Sequence, residues 1–203
     1  GSLSNGKIVW ILAKVNETFE VLKDDVVESY MLFTNPHSFG TSLNVRFTPI
    51  RVVCNNTLQL ALGQHNNGIR LDHTKKFDPH MVKDALGLAS DSMIEYSNKA
   101  KHLVNKMSTK ESRDEYFRQL FPMTHHEDQV KGYVRSKKAA NANRLHNNGT
   151  PGSEFAKDSW WDTFNTVTFM YDHTLGKGNA SRLRSSWYGE ASKAKQHALN
   201  KAL

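Results

Sequence analysis

Cysteine is almost missing from this chain: Cys54 stands alone among 203 residues, so no internal disulfide can form. A lone thiol fits a reducing compartment, and the expected location is a cytoplasm. Long apolar runs are missing too. The longest, Ile8-Val9-Trp10-Ile11-Leu12-Ala13, falls well short of the roughly 18–20 residues that a bilayer span needs, so no membrane partner is expected. There is no signal peptide, no internal repeat and no low-complexity tract. Gly1-Ser2 has the form of a cleaved-tag scar, so the natural start is expected to lie upstream or to have been replaced.

Signatures of catalysis are equally scarce. No Ser-x-x-Lys or Gly-x-Ser-x-Gly pattern occurs, and Gly176-Lys177-Gly178 lacks the spacing of a phosphate-binding loop. The carboxylates are scattered. His125-His126-Glu127-Asp128 has the composition of a metal cluster, but adjacent histidines on a helix diverge and no second ligand follows at i+4. Glu127 suits a capping box with Thr124 instead. Cys54 ends an apolar strand and is expected to be a small core hydrophobe. No catalytic residue, metal or cofactor is therefore assigned.

What the chain does have is core-forming material and positive charge. Hydrophobic residues make up 38% and aromatics 10%, enough for one domain over residues 1–203. The formal charge of +7 is unevenly spread. Residues 1–108 hold 12 Lys+Arg against 10 Asp+Glu, whereas residues 109–203 hold 15 against 10. Gln129 to Ser153 contains Lys131, Arg135, Lys137, Lys138 and Arg144 and no acid. Clustered charge of this kind favours phosphate backbones through counterion release, although it also describes a solvated helix face.

The first part, residues 1–74, reads as strands with one short helix. Lys7–Val15 and Val26–Thr34 are β-rich, the second closing at the turn signal Asn35-Pro36 with Gly40. Leu43–Val53 alternates, and a phase change at Pro49 suggests a bulge that brings Arg46, Thr48 and Arg51 onto one polar face. Asn55-Asn56-Thr57 offers helix caps for a short helix from Leu58 to Leu62, and Ile69–His73 suits one more strand. His73 with Asp72, Lys75 and Lys76 forms a polar, basic cluster ahead of a helix.

Residues 75–203 read as helices. Asp78-Pro79 starts one of about seven or eight turns, with Val82, Leu86, Ala89, Met93, Tyr96, Ala100, Leu103 and Met107 on its apolar face. Ser108 with Glu111, and Thr124 with Glu127, make capping boxes. His146–Gly152 is a loop, and the stretch around 146–153 is the expected flexible point. Glu154–His173 makes a further helix with Trp161 and Phe164 assigned to packing, and Ser181 caps the last. The expected class is α+β, an N-terminal antiparallel hairpin or small sheet followed by a mostly helical half.

Ile50-Arg51-Val52-Val53-Cys54-Asn55-Asn56-Thr57-Leu58 resembles the signature segment of the phage/plasmid-like protein family, the domain of unknown function 932. Tyr30–Asn35 with His37, Val45–Pro49, Arg70–Thr74, Trp161 with Asn165, and Asp172-His173 share its style, from about Lys7 to Leu203. Pro36 to Gly40 departs from it. The resemblance implies a mobile-element context and brings no established activity. The strand order followed by a helix is also similar to the core of single-strand-annealing recombinases.

The expected function is binding or annealing of single-stranded DNA in recombination or replication, by a homo-oligomer without metal or cofactor. Arg46, Arg51, Lys75, Lys76, Lys131, Arg135, Lys137, Lys138 and Arg144 are the expected nucleic-acid contacts. Two alternatives stay open. One is a metal-dependent nucleic-acid-processing enzyme using His73, Asp72 or the His125/His126 pair; the other is a phage module that captures a host protein.

Overall fold

In a computed structural model, residues 1–37, 41–58, 69–71, 78–129 and 132–203 are described. The chain is α+β, with a curled antiparallel sheet first and helices after it. The strands are β1 (Ser2–Leu3), β2 (Ile8–Leu22), β3 (Asp25–Pro36), β4 (Leu43–Arg51), β5 (Asn56–Thr57) and β6 (Ile69–Leu71). They run in the order β1-β2-β3-β4-β5, with β6 also on β4. β2 extends to Leu22, beyond the expected Val15, and turns into β3 through Lys23-Asp24. Asp24 adopts φ 68°, the left-handed conformation that Asp tolerates in a tight hairpin.

The pairing of β3 with β4 corrects one expectation. Register is unbroken from Thr34↔Asn44 to Val27↔Arg51, so nothing bulges at Pro49. The irregularities lie in β2 instead, between Lys14 and Thr18 and between Glu20 and Leu22. Because strand side chains alternate with period two, Arg46 and Arg51, five residues apart, point to opposite faces. Val27, Met31, Val45 and Phe47 share the Arg51 face and are buried against the helices. Leu32, Trp10 and Leu12 share the Arg46 face and pack on Trp187 and Leu183.

The helices are α1 (Pro79–Val104), α2 (Lys110–Leu120), α3 (His125–Gln129), α4 (Lys137–Asn148), α5 (Trp160–Phe169), α6 (Asn179–Tyr188) and α7 (Glu190–Ala202). α1 starts as expected: Asp78 accepts a hydrogen bond from the His80 amide and Pro79 occupies the first turn. Its buried residues, Ala89, Met93, Tyr96, Ala100 and Leu103, follow the expected stripe and lie over the sheet. Leu86 and Met107, expected on the same stripe, are exposed, Met107 lying beyond the helix end at Val104. The Tyr96 ring sits between Phe19 of β2 and Trp161 of α5, at 6.0 and 6.1 Å. α5 is the hub. Residues 161–168 are all buried, the polar Asp162 and Asn165 along with Trp161, Phe164 and Val167.

Several boundaries differ from expectation. The box that starts α2 joins Thr109 to Ser112, because Ser108 is drawn away to the Asp158 carbonyl and the Thr163 hydroxyl. Asn56 and Thr57 pair with Arg51 and Ile50 as β5, and residues 59–62 of the short helix expected after them lie outside the described residues. Glu154–His173 divides into a short turn at Ser153–Phe155, α5 capped by Ser159, and a wider π-helical turn at Met170–Thr174. Ser181 lies inside α6, which starts at Asn179 and breaks at Gly189 before α7. The Thr124–Glu127 box forms as expected, the Thr124 amide donating to Glu127 Oε2 at 3.0 Å.

Residues Gly149–Gly152 dock on the sheet. Arg51 Nη2 donates to the Gly152 carbonyl at 2.8 Å, and a Cβ at Gly152 would lie 2.5 Å from Val53. His146–Asn148, expected in this loop, belong to α4, with His146 buried.

Candidate nucleic-acid interface

The expected phosphate contacts separate into four groups. Arg51 is 3% exposed and sits in the interior. Its Nε and Nη2 donate to the two carboxylate oxygens of Asp25 at 2.6 and 2.8 Å, and Trp161 Nε1 donates to the same carboxylate at 2.9 Å. Burial opposes the guanidinium charge, but those bonds and the Asp25 charge outweigh it and raise its pKa. Arg51 in this setting is a core ion pair and presents no surface for phosphate, contrary to the expectation that paired it with Arg46.

Arg46 lies half-buried on the opposite sheet face. Its Nη1 donates to the Trp187 carbonyl at the end of α6 at 2.8 Å, and its guanidinium stands 5.0 Å from the Tyr188 ring centre. Burial, and then the nearby Arg70, lower its pKa, partly offset by Tyr188. Lys75, Lys76 and Lys131 lie outside the described residues, as do Asp72 and His73.

The third group is on α4 and the segment before it. The buried face of α4 carries Ala139, Ala142 and His146. At 100° per residue, Lys137, Asn141, Arg144 and Asn148 form the opposite stripe, with Lys138 on its flank. Lys137, Lys138 and Arg144 are exposed and form no ion pair among the described residues. Arg144 Nη2 donates to Asn141 Oδ1 at 2.7 Å, which holds the guanidinium along the stripe. Tyr133, 41% exposed, has Lys137 Nζ 6.0 Å from its ring centre, and the adjoining Val134 is 64% exposed. The fourth is Arg135, which is ion-paired with Asp114, as is Arg118. The acids near the stripe are thus engaged. Asp114 holds two arginines, and Glu127 accepts the Thr124 and Lys137 amides, which lower its pKa.

Tyr133 and Val134 were not singled out from the sequence. The available signal was an aromatic next to Gly132 within an acid-free basic stretch. His125 and His126 are exposed on α3, and no group of three or more His, Cys, Asp or Glu suited to a metal occurs among the described residues. Cys54 is buried, burial pushes its thiol pKa up, and its carbonyl accepts from His173 Nε2 at 2.9 Å.

Two further polar clusters are interior. At the π-helical turn, Asp172 Oδ1 accepts from Lys195 Nζ at 2.7 Å and from the Ser186 hydroxyl at 2.5 Å. Lys195, 0% exposed, also donates to the Thr57 hydroxyl, and burial lowers its pKa against the pull of Asp172. Beneath α4, His146 lies 3.5 Å from Asp158 and 3.7 Å from Asp162. Burial lifts Asp162 to a pKa of about 6, and burial with Arg113 nearby lowers that of His146. Every member of the first cluster that donates finds an acceptor, which suits a structural role.

No helix among the described residues is long and apolar enough to cross a membrane. No curated protein and no solved structure shows significant similarity to the chain. A match over residues 1–201 places the chain in the family defined as the domain of unknown function 932, to which it belongs.

Proposed function

We propose that this chain is a nucleic-acid-binding protein whose ligand is single-stranded DNA, acting in recombination or replication of phage or plasmid type. The observation that carries the reading is the solvent face of α4. There Lys137, Lys138 and Arg144 form no side-chain ion pair among the described residues and stand beside the exposed ring of Tyr133. Cations along a helix track a phosphate backbone, and an exposed aromatic gives a base a sequence-tolerant stacking surface. By contrast, Arg51, Arg113 and Lys195 are committed to Asp25, Asp158 and Asp172.

The test is a titration of labelled single-stranded and duplex oligonucleotides at two salt concentrations, with light scattering for oligomer size. Salt-sensitive binding is expected, weakened at least tenfold by the double charge reversal Lys137→Glu/Lys138→Glu. Tyr133→Ala should weaken the single strand by about 1–3 kcal/mol and the duplex far less. Absence of affinity for either strand type near physiological salt would dismiss the proposal.

A further inference from the structure

The two most deeply buried cations each carry a carboxylate: Arg51 has Asp25 and Lys195 has Asp172. Arg46 is desolvated as well, yet it has no carboxylate within ion-pair distance among the described residues. Its neighbour on the same sheet face is a second guanidinium. Arg70 pairs with Asn44, two residues before Arg46 on β4, so it is the diagonal neighbour of Arg46, about 7–8 Å away. Arg70 is exposed and open to solvent.

The same face holds buried donors that lack acceptors among the described residues. Arg46 Nε has none, nor does Trp187 Nε1, although Trp187 is only 3% exposed. Trp10 packs edge-on against Trp187 at 4.9 Å, with its own indole over Gly1 at the β1 edge of the sheet. Thr48, two residues beyond Arg46 and fully buried, has a hydroxyl without a partner. Buried donors without acceptors cost roughly 1–3 kcal/mol each, and a desolvated cation without a counter-ion costs more. Both deficits call for a ligand that brings negative charge and several acceptor oxygens.

We propose that Arg46 and Arg70, with Trp187 whose carbonyl Arg46 holds, form a binding site for a phosphate group. Two guanidiniums match the charge of about −1.5 to −2 on a phosphate monoester better than the single charge of a carboxylate. The group enters from the side of the exposed Arg70, and Arg46 receives it at the covered end. This site is separate from the α4 stripe and does not depend on it. Its source is either free phosphate or the terminal phosphate of a strand.

The experiment is a titration with inorganic phosphate at fixed ionic strength, read by tryptophan emission, since Trp187 borders the site and Trp10 packs against it. Acetate and chloride serve as comparison anions. A saturable change with phosphate is expected, with acetate much weaker. Arg70→Gln, an exposed change that should leave unfolding in phosphate-free buffer unaltered, is expected to weaken phosphate about tenfold. Arg46→Lys, which keeps the charge and loses the Nε donor, should weaken it by a similar factor. A response in Arg70→Gln equal to wild type, or a wild-type response shared with chloride, overturns the proposal. To separate the sources, a 5′-phosphorylated oligonucleotide is compared with its unphosphorylated twin, and a preference lost in Arg70→Gln assigns the strand end. Lys137→Glu/Lys138→Glu should leave the inorganic phosphate titration unchanged. Failure of the α4 reading would therefore show in that double variant, and failure of this one in Arg70→Gln.

Discussion

Asp162 is the residue whose surroundings conflict most with its charge. It is buried under α4, one carboxylate oxygen lacks any partner, and burial raises its pKa to about 6 from an ordinary 3.8. The folded state therefore binds more protons than the unfolded state between about pH 4 and 6. The stability this residue contributes is complete below that window and is lost as pH rises through it, by roughly 2–3 kcal/mol. His146 works in the other direction. Its folded pKa is lowered, so acidification below its unfolded value of 6.5 costs stability. Asp162→Asn should remove only the first effect. Urea unfolding of variant and wild type at pH 4.5 and 7.5 should show the variant gaining roughly 2 kcal/mol relative to wild type at the higher pH. A difference that does not change with pH would mean that Asp162 ionises like an exposed acid. Asp25 gives a second prediction at this scale. Asp25→Asn strips the charge facing Arg51 and should destabilise by about 3–5 kcal/mol, while replacing both partners with apolar residues should recover much of that.

At the scale of elements, docking of the 149–152 loop onto the sheet is the most exposed to test. Gly152 adopts φ 81°, and its carbonyl accepts from Arg51 across 101 residues of sequence. Gly152→Ala adds backbone strain and sets a methyl 2.5 Å from Val53. Destabilisation of about 1–3 kcal/mol is expected by thermal unfolding, with Gly132→Ala, where a Cβ meets nothing within 4 Å, as the milder left-handed comparison. The elements also show where local sequence speaks clearly. Asp78-Pro79 and Thr124 with Glu127 mark helix starts because a cap needs only residues two or three positions apart. Ser108 with Glu111 misled because Thr109 with Ser112 offers the same chemistry one residue later, and Ser108 bonds across 50 residues to Asp158.

For the whole molecule, the formal charge of +7 matters less than its distribution. Arg51 and Lys195 are spent inside the fold, whereas Lys137, Lys138 and Arg144 face solvent together. If those three carry the strand, log K should fall with log salt at a slope of about −2 for single-stranded DNA, roughly −0.7 per phosphate neutralised. Lys137→Glu/Lys138→Glu should flatten that slope. Retention of the full slope would move the contact surface elsewhere on the molecule.

The sequence alone determined the α+β class, the antiparallel character of the first half, the stripe of α1 and the burial of Trp161 and Phe164. Each follows from periodicity or composition within a few residues, where the physics is local. The basic segment of the candidate site was legible for the same reason. Only the tertiary structure decided which arginines meet solvent. Arg46 and Arg51 were assigned one face on the strength of Pro49, but unbroken pairing with β3 sets their parity, and that pairing is invisible within β4 itself. Asp25, 26 residues from Arg51, then claims its charge, while Arg46 is left beside Arg70 with no carboxylate among the described residues. A charged side chain announces what it could bind, and the partners that fold against it settle whether it remains free to do so.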